Sequence, residues 1–218
     1  MMSATHSIAI QSNPQRLKKA LGDFYFKGFK AGMRLIFISN RIAREYLKKA
    51  LLLYELDLEE MCRSGQAILL YKEESYLKGG LFKPEKMLRM LEDTTLEAVN
   101  SGFNGLYIGG DMSWILDTSL DMKDLLEYES EINVLMEKLP LSAACIYDVS
   151  TMDGKALLQL SRLHPFALEP EGLVPNFDHF EKPIPLEDCT SKECIRIFSG
   201  VSVMLSELLR LRGLYTEN

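Results

Sequence analysis

The sequence predicts a soluble, intracellular α/β protein built in three layers, with a mainly parallel central sheet, helices on both faces and an added C-terminal helix. Three observations carry that expectation. Apolar runs of strand length alternate with stretches of 3–4 helical periodicity, and alternating β and α elements build a parallel sheet. Runs such as Leu35-Ile36-Phe37-Ile38 are apolar throughout rather than at every second position, as in strands buried on both faces. The chain also has 218 residues, 47% of them hydrophobic, enough to close one large core.

The elements follow in order. Ile8 to Ile10 reads as a short strand. Pro14 suits a first helical turn, and Leu17, Ala20, Leu21, Phe24, Tyr25 and Gly28 then fall on one face, with Gly28 and Gly32 ending the helix. After the strand Leu35 to Ile38, Ser39 or Asn40 can cap a helix from Arg41 to Leu53. Asp57 to Arg63 is a short helix closed by Gly65, and Ala67 to Tyr71 is a strand. Pro84 opens a helix to about Ser101. Leu106 to Ile108 is a strand ending in Gly109-Gly110-Asp111. Asp121 to Leu139 is an amphipathic helix closed by Pro140, followed by a strand from Ser142 to Tyr147 and a helix from Gly154 to Leu163, with a last short strand beginning near Val174. Residues 1–180 form the α/β domain. In residues 181–218, a Pro-containing linker leads to a helix over Cys194 to Leu214 with one apolar face, suited to docking on the core or pairing with a partner.

Composition excludes several classes. The net charge of −6, without a dense Lys/Arg run, argues against direct nucleic-acid binding. No apolar stretch reaches the roughly 18 residues of a membrane span, and the first residues lack a secretory pattern, so a cytoplasmic location is expected. Cys62, Cys145, Cys189 and Cys194 lack metal-finger spacing and are expected as reduced thiols, with a Cys189–Cys194 disulfide as the alternative. None of His6, His164 and His179 has a sequence neighbour at ligand spacing, so neither metal nor cofactor is expected. The first strand is followed by Gln11-Ser12-Asn13-Pro14, without the Gly-rich turn, Lys and Ser/Thr of a phosphate-binding loop. No nucleophile elbow is present either. The chain is therefore expected not to be an enzyme.

In parallel sheets ligands bind beyond the carboxyl ends of the strands, which draws attention to particular side chains. Asp111 and Trp114 follow two glycines that can admit a ligand or form a turn; an Asp cap and a core Trp are the alternative. Glu129 shares a helix face with Asn133 among apolar neighbours, so it either faces solvent or is buried against a partner. Tyr147 and Asp148 end a strand, whereas Cys145 reads as a small core residue. His164 either complements a helix terminus or serves as a ligand or switch. Asp111, Trp114, Glu129, Tyr147, Asp148 and His164 are the candidate ligand-binding residues.

Several segments together resemble a known family. They are Gly28-Phe29-Lys30-Ala31-Gly32 before Leu35-Ile36-Phe37-Ile38-Ser39, Ser64-Gly65-Gln66, Tyr76-Leu77 with Phe82-Lys83-Pro84, Gly102-Phe103, Gly109-Gly110-Asp111-Met112-Ser113-Trp114, Tyr128-Glu129, Cys145-Ile146-Tyr147-Asp148, His164-Pro165 and Asn176. In this order they resemble the MEDS domain, the methanogen/methylotroph DcmR-type sensory domain, over roughly residues 5 to 180. Thr5-His6-Ser7 departs from the family's Gly-Asp-His-like start, and only His6 matches it. The resemblance implies a RecA/KaiC-like core without a phosphate loop, used in prokaryotic signalling and transcription control to perceive small hydrocarbon-derived, C1-type compounds. Asp111 would then stand near the place of an ATPase magnesium carboxylate. The expected partners are a small organic ligand and a signalling protein or second copy met through the C-terminal helix. A protein-interaction module without a ligand and a degenerate nucleotide-binding protein are the competing readings.

Overall fold

A computed structural model of the chain describes residues 4–11, 14–39, 41–118, 120–148, 152, 154–176 and 179. The linker and helix expected in residues 181–218 lie outside the described residues, as do Cys189 and Cys194. Among the described residues, seven strands form one sheet: β1 (His6–Gln11), β2 (Arg34–Ser39), β3 (Ala67–Tyr71), β4 (Leu106–Asp111), β5 (Leu141–Asp148), β6 (Phe166–Glu169) and β7 (Gly172–Pro175), in the order β3-β2-β4-β5-β1-β6-β7. All pairings are parallel except β6 with β7. The helices are α1 (Pro14–Lys30), α2 (Arg41–Leu51), α3 (Leu58–Arg63), α4 (Pro84–Asn100), α5 (Met122–Met136) and α6 (Gly154–Leu163).

Strand alternation divides the apolar side chains between two layers. In β2, Leu35 and Phe37 join Leu21, Phe24 and Tyr25 of α1, Leu47 and Leu51 of α2 and Met61 of α3 on one face. Ile36 and Ile38 join Met87 and Leu91 of α4, Leu125 and Ile132 of α5 and Leu157 and Leu160 of α6 on the other. The three-layer architecture follows from that division. Each fully buried Leu, Ile or Phe contributes about 1.5–3 kcal/mol of transfer free energy. Among the described residues, no helix is long and apolar enough to cross a membrane.

The structure shifts some expected boundaries. Gly28 does not end α1; it lies within the helix, where a Cβ would collide with the Tyr107 ring at 2.7 Å. The helix closes at Gly32, whose φ of 69° is left-handed, while Met33 N–H donates to the Gly28 carbonyl. The helix expected to reach Leu53 stops at Leu51 and tightens into a 3₁₀ turn over Leu52–Tyr54. Gly109 and Gly110 form no turn either, since both lie inside β4. A Cβ on Gly109 would overlap the Tyr25 hydroxyl, and one on Gly110 the Tyr76 hydroxyl. These glycines make room for two buried phenols, not for a ligand.

Candidate functional site

Four elements bring polar side chains to one point in the layer between the sheet and α5–α6. The register pairs His6 with Ala143, Ile8 with Cys145 and Ile10 with Tyr147. Alternation therefore turns His6, Cys145 and Tyr147 to the same face. Helix α5 lies over that face with Glu129 and Asn133 one turn apart, and His164 follows the last residue of α6. Glu129 and His164 have no exposed surface, and His6, Cys145 and Tyr147 are buried with them.

Glu129 is the hub. Its Oε1 accepts the Tyr147 hydroxyl proton. Its Oε2 lies 3.1 Å from His6 Nε2, 3.4 Å from His164 Nε2 and 3.4 Å from Cys145 Sγ. The two imidazole rings stand 4.0 Å apart, centroid to centroid. A second ring of contacts aims these groups. His6 Nδ1 is 3.0 Å from Asn133 Oδ1, and Asn133 Nδ2 donates to the Leu163 carbonyl. His164 Nδ1 is 2.7 Å from the Leu160 carbonyl.

The electrostatics follow from burial and proximity. Burial alone would push the Glu129 carboxyl up, but contacts with His164 and then His6 outweigh it and hold the group well below the usual carboxylate range. Burial, reinforced by repulsion from His164, lowers His6 to about 4. Burial and the Glu129 charge push the Cys145 thiol and the Tyr147 phenol well above their ordinary values. His6 Nε2, Glu129 Oε2, Cys145 Sγ and His164 Nε2 all lie within 4.8 Å of one another, which also makes them the candidate metal-ligating atoms.

Three of the six sequence candidates meet here: Glu129, Tyr147 and His164. Asp111 does not join them; at the end of β4 it caps the following 3₁₀ segment by accepting from Ser113 N–H at 3.0 Å. Asp148 follows Tyr147 in β5, so alternation directs it to the opposite face, and it is half-exposed. Trp114 is a core residue, buried between Tyr76 at 4.9 Å and Phe82 at 4.8 Å. Phe82 in turn meets Tyr128, the neighbour of Glu129, edge-on at 5.4 Å. The aromatic stack therefore backs the polar centre, with Tyr76 in electrostatic reach of Cys145 and Glu129.

Sequence reasoning missed His6 and Cys145 as partners. Their signal was the family resemblance at His6 and the polar ending of the β5 run, and it became specific only through the β1–β5 register. No histidine has a sequence neighbour at ligand spacing, yet His6 and His164, distant in sequence, are adjacent in space. The clefts also depart from the carboxyl-end rule. One of ≈ 470 Å³ lies at the amino end of β1, bordered by Ala4, His6, Asn133 and Pro165. A larger one of ≈ 630 Å³ lies near the amino ends of β4 and β5, beside Tyr107, Leu141 and Ser142.

Residues 5–165 match the family model described as MEDS, the MEthanogen/methylotroph, DcmR Sensory domain. The chain belongs to this family of sensory domains. No curated protein matches the chain. Among solved structures, a KaiC-like protein from the hyperthermophilic archaeon Pyrococcus horikoshii OT3 is similar at 13% identity and a TM-score of 0.50, over 75% of this chain and 69% of that one. An uncharacterized protein from Pyrococcus horikoshii, solved in complex with an unknown peptide, is similar at 15% identity and a TM-score of 0.54, over 77% of each chain. At such identities the likeness shows the fold alone, a KaiC/RecA-like α/β core.

Proposed function

We propose that this MEDS domain perceives a small hydrocarbon-derived, C1-type compound at the buried centre of His6, Glu129, Cys145, Tyr147 and His164, without catalysing its conversion. The observation that carries this reading is Glu129, a wholly buried carboxylate joined to residues of β1 and β5 and to His164 after α6. Burying such a charge is costly unless it is paired, and perturbed ionisable groups of this kind concentrate at functional sites. A compound that inserts among these groups changes how four elements fit together, so binding acts on the packing itself. It shifts a conformational equilibrium to the extent that it prefers one arrangement over the other. Support for a non-catalytic role comes from the sequence after β1, Gln11-Ser12-Asn13-Pro14, which lacks the glycines and the Lys of a phosphate cradle. The signal passes to a partner or a second copy through residues 181–218.

Thermal unfolding with a panel of C1 and hydrocarbon-derived compounds tests this reading. A ligand at a hundred times its dissociation constant stabilises the fold by about 2.7 kcal/mol. A shift in wild type that disappears in Glu129→Gln, with native circular dichroism retained, supports it. A shift that persists in Glu129→Gln removes this centre as the site. A shift with ATP and magnesium alone supports the nucleotide-binding alternative, and no shift with any compound supports a protein-interaction module.

A further inference from the structure

Each of the two buried imidazoles faces an acceptor on both ring nitrogens. His6 lies between Asn133 Oδ1 and Glu129 Oε2, at 3.0 and 3.1 Å. His164 lies between the Leu160 carbonyl and the same Glu129 oxygen, at 2.7 and 3.4 Å, and its Nε2 makes no hydrogen bond. The Asn133 amide cannot be turned to relieve His6, because its Nδ2 donates to the Leu163 carbonyl. A neutral imidazole has one N–H to give. Given to Asn133 and Leu160, those protons leave both Nε2 lone pairs directed at one carboxylate oxygen, with the Cys145 sulfur 3.5 Å from His6 Nε2. Electron-rich atoms converging in an apolar layer are stabilised by a cation placed among them.

We infer that His6 Nε2, His164 Nε2, Cys145 Sγ and Glu129 Oε2 form a binding site for a divalent transition-metal ion, with zinc the best fit to this donor set. The inference rests on the reading above only in taking the same centre as the functional one. Tetrahedral zinc with bonds of about 2.0–2.3 Å separates its ligand atoms by about 3.3–3.8 Å. Four of the six ligand-atom pairs stand at 3.1, 3.4, 3.4 and 3.5 Å, close to the edges of such a tetrahedron, and all six lie within 4.8 Å. Two imidazoles and a thiol exclude the oxygen-seeking magnesium and calcium. The outer contacts are those that ligating histidines use, each ring giving its second nitrogen to a carbonyl-type oxygen. The Tyr147 hydroxyl occupies Oε1 and leaves Oε2 for the ion. The cleft beside Ala4, Asn133 and Pro165 reaches His6 and supplies the access route. On loading, the thiol proton of Cys145 leaves to solvent.

The test uses the full chain, reduced, stripped with a chelator and titrated with Co²⁺ and then Zn²⁺, with no organic compound present. The expected result is about one Co²⁺ per chain, with a sulfur-to-cobalt charge-transfer band and the strong visible bands of a four-coordinate ion, displaced by Zn²⁺. Cys145→Ser loses the charge-transfer band, whereas Cys189→Ser/Cys194→Ser keeps it. Asn133→Ala, a positioning residue, weakens Co²⁺ binding roughly 10–100-fold. A folded wild type that shows no charge-transfer band overturns the proposal, and so does a band unchanged in Cys145→Ser. The wild-type result decides even where a variant fails to fold. A chain that binds cobalt but answers to no C1 compound keeps the metal site and loses the sensor reading. A chain that answers to such a compound in excess chelator does the reverse.

Discussion

Tyr147 on β5 donates its hydroxyl proton to Glu129 on α5, joining the sheet to the helix that covers it. Tyr147→Phe keeps the ring and removes that donor. Glu129 Oε1 then loses a partner inside the core, at a cost of about 1–3 kcal/mol. Urea unfolding checks this, and a midpoint equal to wild type would mean that the hydroxyl contributes nothing to holding the carboxylate.

Gly110→Ala is expected to destabilise the fold by about 1–3 kcal/mol, because the new methyl overlaps the Tyr76 hydroxyl. Adding Tyr76→Phe removes the colliding oxygen and should recover part of the loss, giving a coupling energy of about 0.5 kcal/mol or more in a double-mutant cycle. Strictly additive effects would sink this account. Gly109→Ala behaves alike against Tyr25, whose hydroxyl also donates to the Ile36 carbonyl at 2.8 Å.

Trp114→Ala should cost about 3–5 kcal/mol, since it empties the space between Tyr76 and Phe82. A residue that only walled a ligand pocket would lose ligand binding while the fold survives, whereas a ring buried in the core carries stability. Chemical denaturation decides the matter, and native stability in the variant would return Trp114 to the role of a pocket wall.

The α3 cap supplies a pH test. The Asp57 carboxylate accepts from Glu59 N–H at 2.8 Å and Glu60 N–H at 3.2 Å. The bond from Glu60 and then that from Glu59 lower its pKa from 3.8. A carboxyl depressed in the folded state contributes stability that is full above its unfolded pKa and lost as pH falls through the folded value. Asp57→Ala should therefore be less stable than wild type at neutral pH, with the gap closing below about pH 4. A gap that widens in acid would contradict the cap.

Much of the fold was legible because it rests on local patterns. Ala67 to Tyr71 and Gly154 to Leu163 appear as read from apolar runs and helical periodicity. The glycines of β4 were misread because Gly usually breaks a strand, and the reason for these two lies in tyrosines remote in sequence. The Glu129–Asn133 pairing on one helix face was legible from their spacing alone. His6 and Cys145 were not, since nothing local marks two residues 139 positions apart as neighbours.

The strand order has a consequence for synthesis. β1 is the first strand made, yet it sits between β5 and β6, which are among the last. At about 5–20 residues per second, the nascent chain carries this strand unpaired for on the order of ten seconds. Through that interval His6 has neither Cys145 nor His164 to meet, so the centre is assembled only after β5 and α6 have been made.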